Sequence, residues 1–196
     1  MADDTVQLTA DNLRALAHPL RVEVLGLLRV YGPATASTLA ERLGLTSGAL
    51  SYHLRQLERF GFIVEDPSRG NRRDRWWRAA HRMTQYAELG PDATPEQRVE
   101  SDVFKEIVTA KTISALTEAR AARAELSPEW LRAFEVSDYL LQLSPEEASA
   151  LARDLSAVLD SYRQHDPEQP KPDDRRIVRA QFQIFPVPEQ PDPRSE

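Results

Sequence analysis

The sequence predicts a mainly α fold with a small β component: a multi-helical front part, one long helix and a small α+β appendix. Three observations predict it. Apolar residues recur at helical spacing through much of the stretch from Leu13 to Leu57. Two β-prone runs follow, Phe62 to Glu65 and Arg75 to Ala79, around the turn-rich string Asp66-Pro67-Ser68-Arg69-Gly70-Asn71. Three hydroxyl-proline-acid helix starts then punctuate the back half, at Thr94-Pro95-Glu96, Ser127-Pro128-Glu129 and Ser144-Pro145-Glu146.

The first element is a helical stripe of Leu13, Leu16, Leu20, Val24 and Leu27/Leu28. His18-Pro19 interrupts it, and the proline suits either a first-turn position or a kink. Arg21 follows on the polar side as a candidate phosphate contact. Leu39, Ala40 and Leu43 make the next stripe, and small Ala40 allows close helix approach. Gly44 can take the left-handed backbone that stops this helix, and Leu45 plugs the corner. Thr46 or Ser47 then caps a second helix, whose Leu50, Leu54 and Leu57 face inward. Ser47, Gly48, Ser51, Tyr52 and Arg55 are left on the opposite face, near the N-terminus.

Two helices with a tight turn, followed by a hairpin, have the layout of a helix-turn-helix entering a wing. The N-terminal part of the second helix is where such a motif reaches base edges. Ser and Tyr can donate to or accept from bases and phosphates, and Arg55 can reach a phosphate or a guanine edge. A pair of ordinary packed helices shares this pattern, so the charge distribution decides. From Pro67 to Arg82 there are six arginines (Arg69, Arg72, Arg73, Arg75, Arg78, Arg82) against Asp74, a local net of +5 in a chain of net −6. A basic hairpin tip on an acidic chain is an electrostatic footprint for phosphate. Residues 1–90 carry a net +2 and residues 91–196 a net −8, so the front half suits DNA and the back half does not.

The string Leu16-Ala17-His18-Pro19-Leu20-Arg21-Val22-Glu23-Val24-Leu25, then Leu39-Ala40-Glu41-Arg42-Leu43-Gly44, then Ser51-Tyr52-His53-Leu54-Arg55-Gln56-Leu57, resembles the ArsR-type winged helix-turn-helix regulators. The match spans about residues 10–80. The resemblance implies that Ser47, Gly48, Ser51 and Tyr52 meet the major groove and that Arg72 and Arg73 sit at the wing tip. It also implies a homodimer, often a repressor, with the long helix near the dimer interface. Thr46, Arg69, Asn71 and Arg75 complete the candidate DNA-binding set with Arg21 and Arg55.

This chain departs from the metal-sensing members. It has no cysteine, and Ser37-Thr38-Leu39-Ala40-Glu41 offers no soft ligand where a thiolate pair would stand. Residues 96–126 contain no histidine. A thiolate sensor is excluded, and neither a metal site nor a cofactor is expected. His53 reads as a packing or hydrogen-bonding residue of the motif. No nucleophile-base pair, phosphate loop or nucleophile elbow is present, so enzymatic activity is not expected.

In the back half, a long helix is expected from about Pro95 to Ala124, with Val99, Val103, Ile107, Ala110, Ile113 and Leu116 on one face. Gln97 and Glu147 complete capping boxes. Val136 to Leu143 and Arg176 to Phe185 alternate like strands and flank an amphipathic helix from Pro145 to Arg163. Trp130, Phe134, Tyr139, Tyr162, Phe182 and Phe185 would line a pocket for an apolar or aromatic effector, or serve as ordinary core. The domain expectation is 1–90 for the winged helix-turn-helix, 91–185 for dimerisation and effector binding, and 186–196 as a disordered tail.

No run has transmembrane length, and the first residues lack a signal-peptide pattern. With no cysteine, this fits a cytoplasmic protein; 22 arginines against 3 lysines fit a GC-rich bacterial genome. The functional expectation is a dimeric repressor binding double-stranded DNA at an inverted repeat, with no membrane partner; a small-molecule effector is left open in both existence and identity. The alternative is a winged helix used against a protein partner.

Overall fold

The computed structural model describes residues 5–69, 74–86, 88–170 and 172–188. The chain divides into two units, Met1–Phe134 and Glu135–Glu196.

The first unit opens with strand β1 (Thr5–Leu8) and one turn of helix, α1 (Ala10–Leu13). Helix α2 (Pro19–Tyr31) starts where the sequence places the break: Pro19 occupies its first turn and His18 is its N-cap, accepting from the Leu20 amide at 3.2 Å. Proline there loses no helical hydrogen bond. A two-residue strand β2 (Ala34–Thr35) leads into α3 (Ala36–Leu43), capped by Thr35. Gly44 closes α3 with φ 64° and ψ 32°, the left-handed conformation a side chain disfavours. Thr46 then caps α4 (Ser47–Arg59) through the Ala49 amide.

The core sits where these helices meet. Leu13, Leu28, Leu39, Leu50, Leu54, Leu57, Phe62 and Ile63 are almost wholly withdrawn from water. Each such side chain contributes about 1.5–3 kcal/mol relative to exposure. Ala40, 3 % exposed, lies within this core.

Strands β3 (Ile63–Glu65) and β4 (Trp76–Ala79) pair antiparallel, with Ile63 opposite Ala79 and Glu65 opposite Trp77. Strand β2 adds to the other edge of β4, giving the order β2-β4-β3. Both wing strands agree with the sequence reading. A second, two-stranded sheet was not anticipated: β5 (Met83–Tyr86) runs parallel to β1, from Thr5 opposite Met83 to Leu8 opposite Tyr86. Arg29 on α2 holds this region by donating to the His81 carbonyl at 3.0 Å and to Thr84 Oγ1 at 2.7 Å.

Helix α5 (Pro95–Ala121) begins with the expected Thr94–Gln97 capping box and ends in a 3₁₀ turn, Ala122–Glu125. Its buried residues differ from the expected stripe. Ser101 and Phe104 are buried, with Tyr86 hydroxyl 2.6 Å from Ser101 Oγ, while Val99 and Ile113 are 63 % and 61 % exposed. The reason is the parallel β1–β5 pair, which places Tyr86 against Phe104 at a ring separation of 5.7 Å. Lys111 also pairs with Glu23 of α2. The long helix therefore groups with the winged helix rather than with the back of the chain, and the unit boundary falls at 134/135 instead of 90/91. Helix α6 (Pro128–Arg132) closes the unit; Ser127 makes no side-chain cap bond to its backbone, contrary to the capping expectation.

The second unit holds α7 (Pro145–Asp160), opened by the expected Ser144–Glu147 capping box. The two strands expected at 136–143 and 176–185 are not formed; both segments are irregular and exposed. Alternation specifies a strand only when a partner edge supplies the ladder, and two strands alone are marginal. Residues 189–196 of the expected tail lie outside the described residues. Among the described residues, no helix is long and apolar enough to cross a membrane.

Candidate nucleic-acid interface

Helix α4 separates two faces. Leu50, Leu54 and Leu57 are 0–2 % exposed on one side. On the other, Thr46, Ser47, Gly48 and Arg55 are exposed, Ser51 is half-buried and Tyr52 is 56 % exposed. The motif's local chemistry explains the split: a period-four leucine stripe leaves small and hydrogen-bonding residues outward. A Cβ added at Gly48 would meet nothing within 4 Å. The helix backbone at its first turn is thus open to close approach.

The outward side chains are partly pre-positioned. Ser51 Oγ donates to the Ser47 carbonyl at 3.0 Å, and Arg55 Nε donates to the Ser51 carbonyl at 3.1 Å. Both bonds run back along α4, and the Arg55 bond leaves its terminal nitrogens outside it. Tyr52 stands edge-on to His53 at 5.4 Å, and His53 packs against His18 at 4.6 Å. His53 Nδ1 is buried without a hydrogen-bond partner. Burial is the main cause holding both imidazoles below their ordinary pKa of 6.5; for His53 the neighbouring His18 and Arg21 add to it, and for His18 Arg21 does. This neutral pair ties the exposed face of α4 to the N-cap of α2. The sequence reading anticipated packing or hydrogen bonding for His53 but not its His18 partner; the break at His18-Pro19 was the available signal.

Arg21 is placed differently from a free phosphate contact. Its Nε donates to the Ala15 carbonyl and its Nη2 to the Arg14 carbonyl at 2.8 Å. It is half-buried, and burial lowers its pKa. Two of its donors brace the link between α1 and α2.

At the wing, Asp66 is an organiser that sequence reasoning read only as a turn residue. It is 7 % exposed; its carboxylate accepts from Ser68 Oγ at 2.6 Å and the Ser68 amide at 3.1 Å, and its own amide donates to the Trp76 carbonyl at 2.7 Å. The Ser68 hydroxyl is the main cause that depresses its pKa. Arg69 lies 3.3 Å from this carboxylate, and Arg75 lies 3.6 Å from Glu65. The bases of both wing arms therefore carry arginine–carboxylate pairs. Asn71, Arg72 and Arg73, assigned to the tip, lie outside the described residues.

The six aromatics offered as an effector pocket fall in both units. Trp130 and Phe134 belong to the first unit and the other four to the second. Within the second, Tyr139, Tyr162 and Phe185 are 77 %, 71 % and 70 % exposed. With the expected strands unformed, these side chains stand in solvent.

Residues 16–66 match the family model described as "Helix-turn-helix domain". The matched segment has the helix-turn-helix layout described above. The match takes in α2, α3, α4 and the first wing strand β3, within the stretch that carries the resemblance to winged helix-turn-helix regulators. Over 57 residues the chain is 42 % identical to the HTH-type transcriptional regulator NmtR of Mycobacterium tuberculosis (strain ATCC 25618 / H37Rv). That match covers 29 % of this chain and 47 % of the relative, so the chain spans about half the length of the curated relative it matches. Among solved structures, the disulfide-formed AbfR is similar at 17 % identity and TM-score 0.28, covering 54 % of this chain and 71 % of that one. The apo C30AH42A mutant of ZitR from Lactococcus lactis is similar at 16 % identity and TM-score 0.30, covering 76 % and 84 %.

Proposed function

We propose that this chain is a sequence-specific DNA-binding transcriptional regulator that acts as a homodimeric repressor on an inverted-repeat operator. One observation carries the reading. The helix-turn-helix holds its second helix by buried leucines and leaves Thr46, Ser47, Gly48, Tyr52 and Arg55 exposed around the first turns, beside a wing of net positive charge. That is the part of the helix that enters the major groove in this class of motif. The 42 % identity to an HTH-type transcriptional regulator supports it over the same segment. The chain's lack of cysteine argues against thiolate metal sensing as its regulatory input.

In this reading Ser47, Ser51, Tyr52 and Arg55 read base edges, and Thr46 and the wing arginines contact phosphates. Arg72 and Arg73 act at the tip, and Arg69 and Arg75 behind it. Two copies place two recognition helices about 34 Å apart, one helical turn of DNA. Selection from a randomised duplex pool, followed by sequencing and a salt titration of the winner, tests it. An enriched inverted repeat with steep salt dependence is the expected result. A pool that stays unenriched overturns DNA reading and favours a protein partner for the winged helix. Enrichment of a single half-site overturns the dimer.

A further inference from the structure

The second unit is a folded element without a core. Helix α7 is well formed and fully capped, yet none of the described residues from Glu135 onward is buried. Its apolar face is only partly covered, with Leu151 and Leu155 half-buried and Val158 55 % exposed. On either side run the two alternating segments, 136–143 and 176–185, with Leu140 83 % and Val178 67 % exposed. Among the described residues, neither segment joins a sheet. Apolar surface on this scale, spread over one helix and two extended stretches, marks an interaction surface.

The sequence of the two segments indicates what covers it. The first carries only acids, Glu135 at its edge and Asp138 within it. The second carries Arg176 and Arg179, with Arg175 just before it. Laid side by side in parallel, one register sets Glu135 opposite Arg176 and Asp138 opposite Arg179. The same register sets Leu141 against Phe182 and Leu143 against Ile184 on one face. A slip of one residue would put Asp138 against Val178 or Ala180, so charge and hydrophobicity select the same alignment. The complement of each segment is thus the other segment of this same sequence, and among the described residues no β-ladder joins the two within one chain. We propose that the second unit is a strand-exchange arm: segment 136–143 of one copy pairs with segment 176–185 of a second copy, and reciprocally. A two-fold axis generates both ladders from one contact, and the apolar face of the pair can lie on α7. The inference deepens the dimer reading above and rests on it only in requiring two copies.

The chain has no cysteine, so an engineered pair reports cleanly. In the full chain, Leu141→Cys combined with Phe182→Cys is oxidised and run on a non-reducing gel, with the linked peptides identified by mass spectrometry. The expected product is a covalent dimer linked between positions 141 and 182, with each single variant remaining unlinked. A disulfide closed within one monomer, or none at all, overturns strand exchange. A charge swap provides an independent readout by sedimentation. Asp138→Arg or Arg179→Asp alone should weaken dimerisation about tenfold, and the double swap should restore it. A double variant as weak as the singles overturns the register. Should the unaltered chain sediment as a monomer, the dimer reading fails as well; a dimer with an intrachain disulfide defeats the arm alone.

Discussion

Gly48 bears on the proposed DNA contact through what it does not touch. An added methyl group would meet no atom within 4 Å, so nothing inside the protein requires glycine there. Glycine nonetheless weakens a helix by about 0.5–1 kcal/mol relative to alanine. Close approach of the α4 first turn to a DNA backbone or base edge supplies a reason. That figure holds for a helix interior and Gly48 lies in the first turn, so Gly48→Ala should raise unfolding stability by at most that amount in a denaturant titration, and lower operator affinity about tenfold, or about 1.4 kcal/mol. Equal binding by the variant would remove the close-approach argument. The His18–His53 pair makes a second prediction at this scale. Both imidazoles titrate below 6.5 when folded, so the unfolded chain binds more protons in the window just beneath that value. Stability is then fully present above about pH 6.5 and is lost as pH falls towards the lowered folded values. Melting temperatures measured between pH 7.5 and 5 should decline, and His53→Gln should flatten the decline. A slope unchanged in that variant would place the acid sensitivity elsewhere.

Local elements were legible in the sequence because their determinants are local. The turn at Gly44, the caps at Thr46, Thr94 and Ser144, and the proline start of α2 each depend on residues within one helical turn. The wing strands were legible from a β-prone pair around turn residues. The parallel β1–β5 sheet was not, since its strands are four residues each and lie far apart in sequence, with no turn to mark them. That same missing sheet misplaced the buried face of α5, because Phe104 is buried where Tyr86 meets it. At 136–143 and 176–185 the reverse holds: the alternation of a strand is present, but a strand also needs an edge to pair with. At the candidate interface, the leucine stripe makes the outward face of α4 legible, with Ser51 half-buried at its side, while the role of Asp66 depends on a short Ser68 contact invisible to periodicity. The wing is where a test at this scale belongs. Arg72→Ala with Arg73→Ala should weaken all DNA sequences alike and reduce the slope of log affinity against log salt by about 1.8 for two lost phosphate contacts. Ser51→Ala or Tyr52→Ala should instead change which sequence is preferred. An unchanged salt slope in the wing variant would sink the phosphate assignment.

Across the whole molecule, stability and charge are unequally distributed. Among the described residues, every buried hydrophobic side chain falls between Leu8 and Phe104. The 62 residues from 135 onward, by contrast, hold no buried described residue and carry 13 acidic against 7 basic side chains. The first unit, residues 1–134, has 18 of each sign and is neutral overall. Cooperative unfolding tracks buried apolar area, so a chain ending at Phe134 should keep a single thermal transition, lower than that of the full chain only by what the exchanged arm contributes. Removing a net charge of −6 also removes long-range repulsion from the phosphate backbone. Compared at concentrations where both chains are monomeric, the shortened chain should therefore bind random duplex DNA at low salt more tightly, about threefold or more, or by roughly 0.6 kcal/mol on the tenfold-per-1.4 scale. The difference should vanish by about 1 M salt, where screening shortens the reach of charge to about 3 Å. Circular dichroism melting and fluorescence anisotropy on a scrambled duplex measure the two effects separately. A broad, non-cooperative melt would mean that the second unit contributes to the core of the first. Unchanged non-specific affinity at low salt would mean that its charge lies beyond reach of the DNA.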